Sequence, residues 1–189
     1  MSPVHLRVEP GDFAESVLLP GDSLRATIVP EELILLGAKN LLRAGTCGVY
    51  DPGLRLGDLI VATAATPQDG TVSSITRGVP NAPAAHFDVV HAAEDAGRRT
   101  SVGPIVSSDL FYDSTEKPTA LWTTLGVLAV EMEVAAIFAM PAMRGVRVGC
   151  LPMVSDIVGA EVVWIGDDEL RSAVDNMMAL ALDTLDALN

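Results

Sequence analysis

Residues 18–48 read "LLPGDSLRATIVPEELILLGAKNLLRAGTCG". An apolar run closes on Pro20, Gly21 and Asp22, a helical stretch follows, and a second apolar run closes on Gly45, Thr46, Cys47 and Gly48. Strand, turn, helix and strand in that order form the repeating unit of α/β folds. The helical stretch carries Pro30 in its middle. A proline there removes a backbone donor and clashes with the preceding turn, at a cost of about 3 kcal/mol. The pattern therefore predicts a kink or break near Val29.

The same alternation continues along the chain. Runs at 15–22, 40–48, 58–65, 100–109, 127–133 and 146–156 read as strands, each ending where small or polar residues gather. Helices are predicted at 86–98, 132–143 and 168–188. The last shows Leu170, Val174, Met177, Ala181, Leu185 and Leu188 at three- and four-residue spacing, an apolar stripe made for core packing. Residues 66–83, "TPQDGTVSSITRGVPNAP", show neither period and read as a long surface loop. The fold class is α/β with a largely parallel sheet, and in such sheets ligands bind at the carboxyl ends of the strands.

Bulk properties narrow the function. The chain of 189 residues fits one domain, 1–189, and its net charge of -13, without a basic run, speaks against nucleic acid as a partner. An apolar content of 49% with a mean hydropathy of +0.37 suggests a surface partly covered by other copies, hence a homo-oligomer. The stretch 134–143 is half a membrane span and contains Pro141, so no membrane association is expected. The first residues show no apolar signal region, which places the protein in the cytoplasm. Cys47 and Cys150 lack metal-ligand spacing and read as buried free thiols.

Five constellations carry possible chemistry. Gly21 and Asp22 open a helix with Arg25 one turn in, an arrangement suited to an anion, although Asp22 as a cap and Arg25 in solvent is the plainer alternative. Arg43, Thr46 and the glycines of "RAGTCG" offer donors and close backbone approach, or Arg43 forms a structural ion pair with a distant carboxylate. Glu131 and Glu133 sit at a strand-to-helix junction, where alternation turns one toward the ligand edge to accept from a vicinal diol. Acidic residues also suit a helix N-terminus without any ligand. Asp156, ending "VSD", is placed for general-acid work with Arg171 downstream to modulate it, or merely caps a turn. Phe111 suits either a flat heterocycle or the core.

Together and in this order, "HLRVEPGDFAESVLLPGDSLRA", "RAGTCG", "VGPIVSSDLFYD", "VLAVEMEVAAIFAM" and "VSD" followed by "ELRSAVDNMM" resemble the bacterial hexameric purine nucleoside phosphorylases of the nucleoside phosphorylase and uridine phosphorylase superfamily. The resemblance covers nearly the whole chain. It implies a three-layer fold in which helices flank a central mixed, largely parallel sheet. It implies that Gly21, Arg25, Arg43 and Thr46 hold phosphate, that Phe111 stacks on the base while Val130 and Met132 line its pocket, and that Glu133 binds the ribose hydroxyls. Asp156 would protonate the departing purine with Arg171 assisting, and His5 would reach a neighbouring subunit's site within a hexamer. No metal or organic cofactor is implied, inorganic phosphate being the co-substrate.

The chain departs from the family in its opening stretch. The start of one family helix runs directly into a later one, so that a segment with its strands is missing between Arg25 and Ile34. The sheet should accordingly be reduced, with new edges or repacking. Two classes of function follow: a trimmed phosphorylase acting on purine nucleosides, or a catalytically impaired relative serving as a scaffold. Uridine phosphorylase and nucleosidase remain as other enzymatic readings, against which Asp156 favours a purine and the two arginines favour phosphate over water.

Overall fold

The protein is described by a computed structural model, which covers residues 14–20, 26–111, 119–159 and 162–189. The elements in chain order are β1 (Ser16–Pro20), α1 (Ile28–Leu35), β2 (Asn40–Val49), β3 (Leu59–Gln68), α2 (Gly70–Thr76), α3 (Phe87–Asp95), β4 (Thr100–Ser108), α4 (Thr119–Thr124), β5 (Ala129–Glu131), α5 (Val134–Ala142), β6 (Arg147–Ile157), β7 (Val163–Trp164) and α6 (Asp167–Ala187). All six expected strands are present, together with the short β7, which a two-residue run could not announce.

Pro30 does not kink a helix. Ala26 and Thr27 form a turn, α1 begins at Ile28, and Pro30 is its third residue. The first helical amides have no acceptor within their helix in any case, so the missing donor costs little at that position. The predicted interruption near Val29 is therefore realised as a helix start. At the other end Gly37 takes a φ of 103°, and Ala38 N donates to Leu33 O at 3.0 Å, which turns the chain into β2.

The stretch 66–83 is not one loop. β3 continues to Gln68, and Asp69 accepts from Val72 N at 2.7 Å to cap α2. With Val72 as its only buried residue, α2 has no apolar stripe by which it could be recognised.

The sheet runs β1-β2-β5-β4-β3-β6-β7, with β2 paired also to β6. β1 with β2, β2 with β6, β3 with β4 and β4 with β5 are parallel, whereas β2 with β5, β3 with β6 and β6 with β7 are antiparallel. The strands β2, β5, β4, β3 and β6 thus close into a hydrogen-bonded ring. β2 manages three partners because one of its sides takes β1 along Asn40–Ala44 and β5 only at Gly48 and Val49. Among the described residues, the expected reduction of the sheet leaves β1 paired on a single side.

Alternation along the strands divides the core in two. Leu41, Cys47, Val49, Ile60, Ala62, Val148 and Cys150 pack with the wholly apolar α5. Leu42, Ala44, Leu59, Val61, Leu151 and Met153 pack with α3 and α6. Helices thus cover both faces, giving three layers. The stripe read along α6 faces this second cluster, with Met177, Ala181 and Leu185 buried and Leu170, Val174 and Leu188 packed beside them. Burying each larger apolar side chain contributes roughly 1.5–3 kcal/mol. No helix among the described residues is long and apolar enough to cross a membrane.

One glycine marks where α3 presses on the sheet. A Cβ at Gly149 would lie 2.3 Å from Val89 Cγ1 and 3.2 Å from Leu42 Cδ1. Gly149→Ala should therefore lower stability by about 1–3 kcal/mol through overpacking. The measurement is the urea midpoint, and a midpoint equal to that of the unsubstituted protein would contradict this packing.

Candidate active site

The carboxyl ends of β2, β4, β5 and β6 surround a cavity of about 520 Å3. β2 contributes Arg43, Thr46, Cys47 and Gly48 to its wall, and the β5–α5 junction contributes Val130, Glu131, Met132 and Glu133. Ser155 and Asp156 come from β6, Phe111 follows β4, and Trp164 stands on β7.

Arg43 lies on the innermost strand and is 3% exposed. A guanidinium withdrawn from water needs opposite charge close by. Its Nη2 donates to Glu133 Oε2 and lies 3.5 Å from Glu131 Oε2, while Nη1 faces Cys150 Sγ at 3.7 Å. Burial alone would weaken Arg43 as a base, but the charges of Glu131 and Glu133 oppose it, so the group stays protonated. Burial also pushes the Cys150 thiol up to about 12 and the Cys47 thiol well above its usual range, so both free cysteines are neutral thiols rather than nucleophiles.

Alternation does not part the two glutamates: two positions apart, both line the cavity and both face Arg43, and they differ in their other partners. Glu131 accepts from Ser107 Oγ at 2.5 Å and from the backbone N–H groups of Glu133 at 2.8 Å and Val134 at 3.0 Å. Ser107 Oγ in turn accepts from Ala135 N at 2.8 Å. Ser107 and Glu131 together therefore satisfy the opening amides of α5. Glu133, two residues on, turns to Arg43. Space for the guanidinium comes from Gly45, where a Cβ would lie 2.8 Å from Arg43 Nη1. The glycine thus makes room for the arginine.

Asp156 is aimed by a β-bulge. The pairing of β2 with β6 steps from Cys47↔Val154 to Gly48↔Asp156, leaving Ser155 as the extra residue. Ser155 Oγ lies 3.3 Å from Cys47 O and 2.8 Å from Asp156 Oδ1, bracing the kink. The carboxylate leans over Gly48, where a Cβ would stand 2.5 Å from Asp156 Oδ2. Glycine is required there by close approach.

Residues 9–188 match the family model described as Phosphorylase superfamily. The chain belongs to that superfamily. It is 33% identical to a DeoD-type purine nucleoside phosphorylase of Clostridium beijerinckii, over 96% of this chain and 97% of the relative. It is 31% identical to a DeoD-type purine nucleoside phosphorylase of Myxococcus xanthus over 99% and 98% of the two chains. A guanosine phosphorylase of Halorubrum lacusprofundi is 36% identical over 86% of this chain and 70% of the relative. The Clostridium alignment spans 232 positions against the 189 residues here, in keeping with a chain that lacks an internal segment.

In this phosphorylase-superfamily chain the cavity gathers Arg43, Thr46, Phe111, Val130, Met132, Glu133 and Asp156, all singled out from the sequence. Arg171 is not among its lining residues; it is exposed on α6, with Nη1 3.6 Å from Asp168 Oδ1. His5, Gly21 and Arg25 lie outside the described residues. Sequence reasoning missed Ser107, the bulge at Ser155 and Trp164. The serine had a usable signal, since it ends an apolar run, but its task depends on Glu131 across the sheet.

Burial raises the Glu131 carboxyl above the ordinary glutamate range, although Arg43 and Ser107 pull it down. The folded protein thus holds that proton more tightly than the unfolded chain. Its stabilising contribution is complete below the unfolded carboxylate range and is lost as pH rises through the folded value. Glutamine does not titrate, so the stability of Glu131→Gln relative to the unsubstituted protein should increase from acid to neutral pH. Urea midpoints measured across that range check this, and a difference that is constant or shrinks with pH would contradict it.

Proposed function

We propose that the chain catalyses phosphorolysis of purine nucleosides or 2′-deoxynucleosides, giving the free base and (deoxy)ribose 1-phosphate. The observation that carries this reading is the convergence of Arg43, Thr46, Glu133 and Asp156 on one cavity with apolar and aromatic walls. The printed names of the relatives point the same way.

Arg43 and Thr46 hold phosphate in this reading. Among the described residues the buried Arg43 Nε finds no hydrogen-bond partner, so the two glutamates leave the guanidinium incompletely satisfied. β1 ends with Pro20 beside Ala44, and Gly21 and Arg25 follow it in sequence as further phosphate ligands. Glu133 accepts from the ribose hydroxyls. Its contact with Arg43 sets the sugar and phosphate subsites side by side, which brings the nucleophile to C1′.

A phosphate oxygen forms the new bond to C1′ as the bond from C1′ to the purine nitrogen breaks, and that electron pair passes into the ring. The phosphate dianion stabilises the positive charge that develops on the sugar. Asp156 donates a proton to the ring nitrogen and so removes the charge building on the base. Phe111, Val130 and Met132 line the base subsite. Phosphate is the co-substrate, and the chemistry asks for no metal or organic cofactor. His5 serves a neighbouring copy in a homo-oligomer, a state favoured by exposed apolar side chains such as Phe87, Leu121, Leu125 and Met143.

Release of hypoxanthine from inosine, and of guanine from guanosine, should require phosphate. Asp156→Asn should lower kcat by about 10²- to 10⁴-fold. Release without phosphate, or none at high enzyme concentration, would refute phosphorolysis. Gly48→Ala pushes on the Asp156 carboxylate and should lower kcat while leaving the KM for phosphate nearly unchanged, as steady-state kinetics would show.

A further inference from the structure

Beyond the residues already assigned, the cavity has an aromatic wall on β7. Trp164 is 57% exposed and lines the cavity together with Val162, two positions earlier. The intervening Val163 does not line it, which is the alternation of a strand. Register places Trp164 directly opposite Asp156 on β6, and Ile165 N donates to Ser155 O at 2.9 Å to hold that pairing. Side chains paired in this way share one face and stand about 5 Å apart at Cβ. The indole is therefore set next to the carboxylate, at the base of the same bulge.

Among the described residues, this large exposed ring beside a titratable group, in a cavity that Phe111 enters from another element, has no aromatic partner. We propose that Trp164 is a specificity-determining residue of the base subsite: its indole stacks on the heterocycle that Asp156 protonates, favouring two fused rings over one. This rests on the phosphorolysis reading for the identity of the ligand. A purine covers more of an indole than a pyrimidine does, and stacking strength follows shared area. The strand pairing keeps the indole and the acid in a fixed relation, so a base seated on the ring presents its edge to the carboxylate.

The test uses the full chain carrying Trp122→Phe, which removes the other tryptophan, on α4 and outside the cavity lining. Hypoxanthine should quench the remaining emission saturably, with uracil about tenfold weaker or worse. In the otherwise unsubstituted protein, Trp164→Ala should raise the KM for inosine about tenfold while the KM for phosphate stays within twofold, and Trp164→Phe should restore most of the loss. Unchanged emission with hypoxanthine, equal quenching by uracil, or a Trp164→Ala protein with unaltered inosine KM would overturn the proposal. So would a variant that changes only the oligomeric mass, since the indole would then belong to a contact between copies. The titration needs no turnover: quenching without phosphorolysis would keep the base subsite and refute the reaction, whereas turnover with a silent Trp164 would do the reverse.

Discussion

Arg43 sets a full positive charge inside the most buried strand of the sheet, and much of the surrounding structure answers to it. Its carboxylates come from one junction, Glu131 and Glu133, on either side of Met132. Glu131 is also committed to Ser107 and to the first amides of α5. The ion pairs therefore tie β2, β4, β5 and α5 into one unit. Removing one partner from such a buried pair costs about 3–5 kcal/mol, because the remaining charge stays dehydrated. A group held this tightly is a poor mobile arm but a good fixed reference point for a ligand.

Asp156 depends on the same economy of space. The extra residue Ser155 turns the carboxylate toward β2, and the bare backbone of Gly48 lets it settle there. Two glycines three positions apart on one strand thus accommodate two charged groups of the cavity wall, Arg43 and Asp156.

The fold was legible where one residue type repeats at a fixed interval. The stripe from Leu170 to Leu188 and the apolar runs ending at small residues identified α6 and the main strands, since burial of one face imposes those periods. Residues 70–76 carried no such stripe because α2 buries only Val72, and β7 is too short to have a period. For the site, the residue types at strand ends were readable. Their pairings were not, because Arg43 meets Glu133 across 90 positions and Gly45 serves a side chain two residues away. Pro30 announced an interruption but not its form: whether a proline kinks a helix or opens it depends on which residue starts the helix, and an N-terminal boundary is weakly encoded.

The ring of β2, β5, β4, β3 and β6 is built wholly from chain that follows residue 39. The stretch where the sequence departs from its relatives lies earlier, beside the outlying β1. A closed circuit of strands carries its own hydrogen-bond complement, so shortening the chain upstream opens no seam within it. The architecture thereby keeps Arg43, Glu133 and Asp156, which line the cavity, on chain that follows the shortened stretch. A chain built this way can be shorter near β1 while the strands that carry the cavity wall keep their pairing.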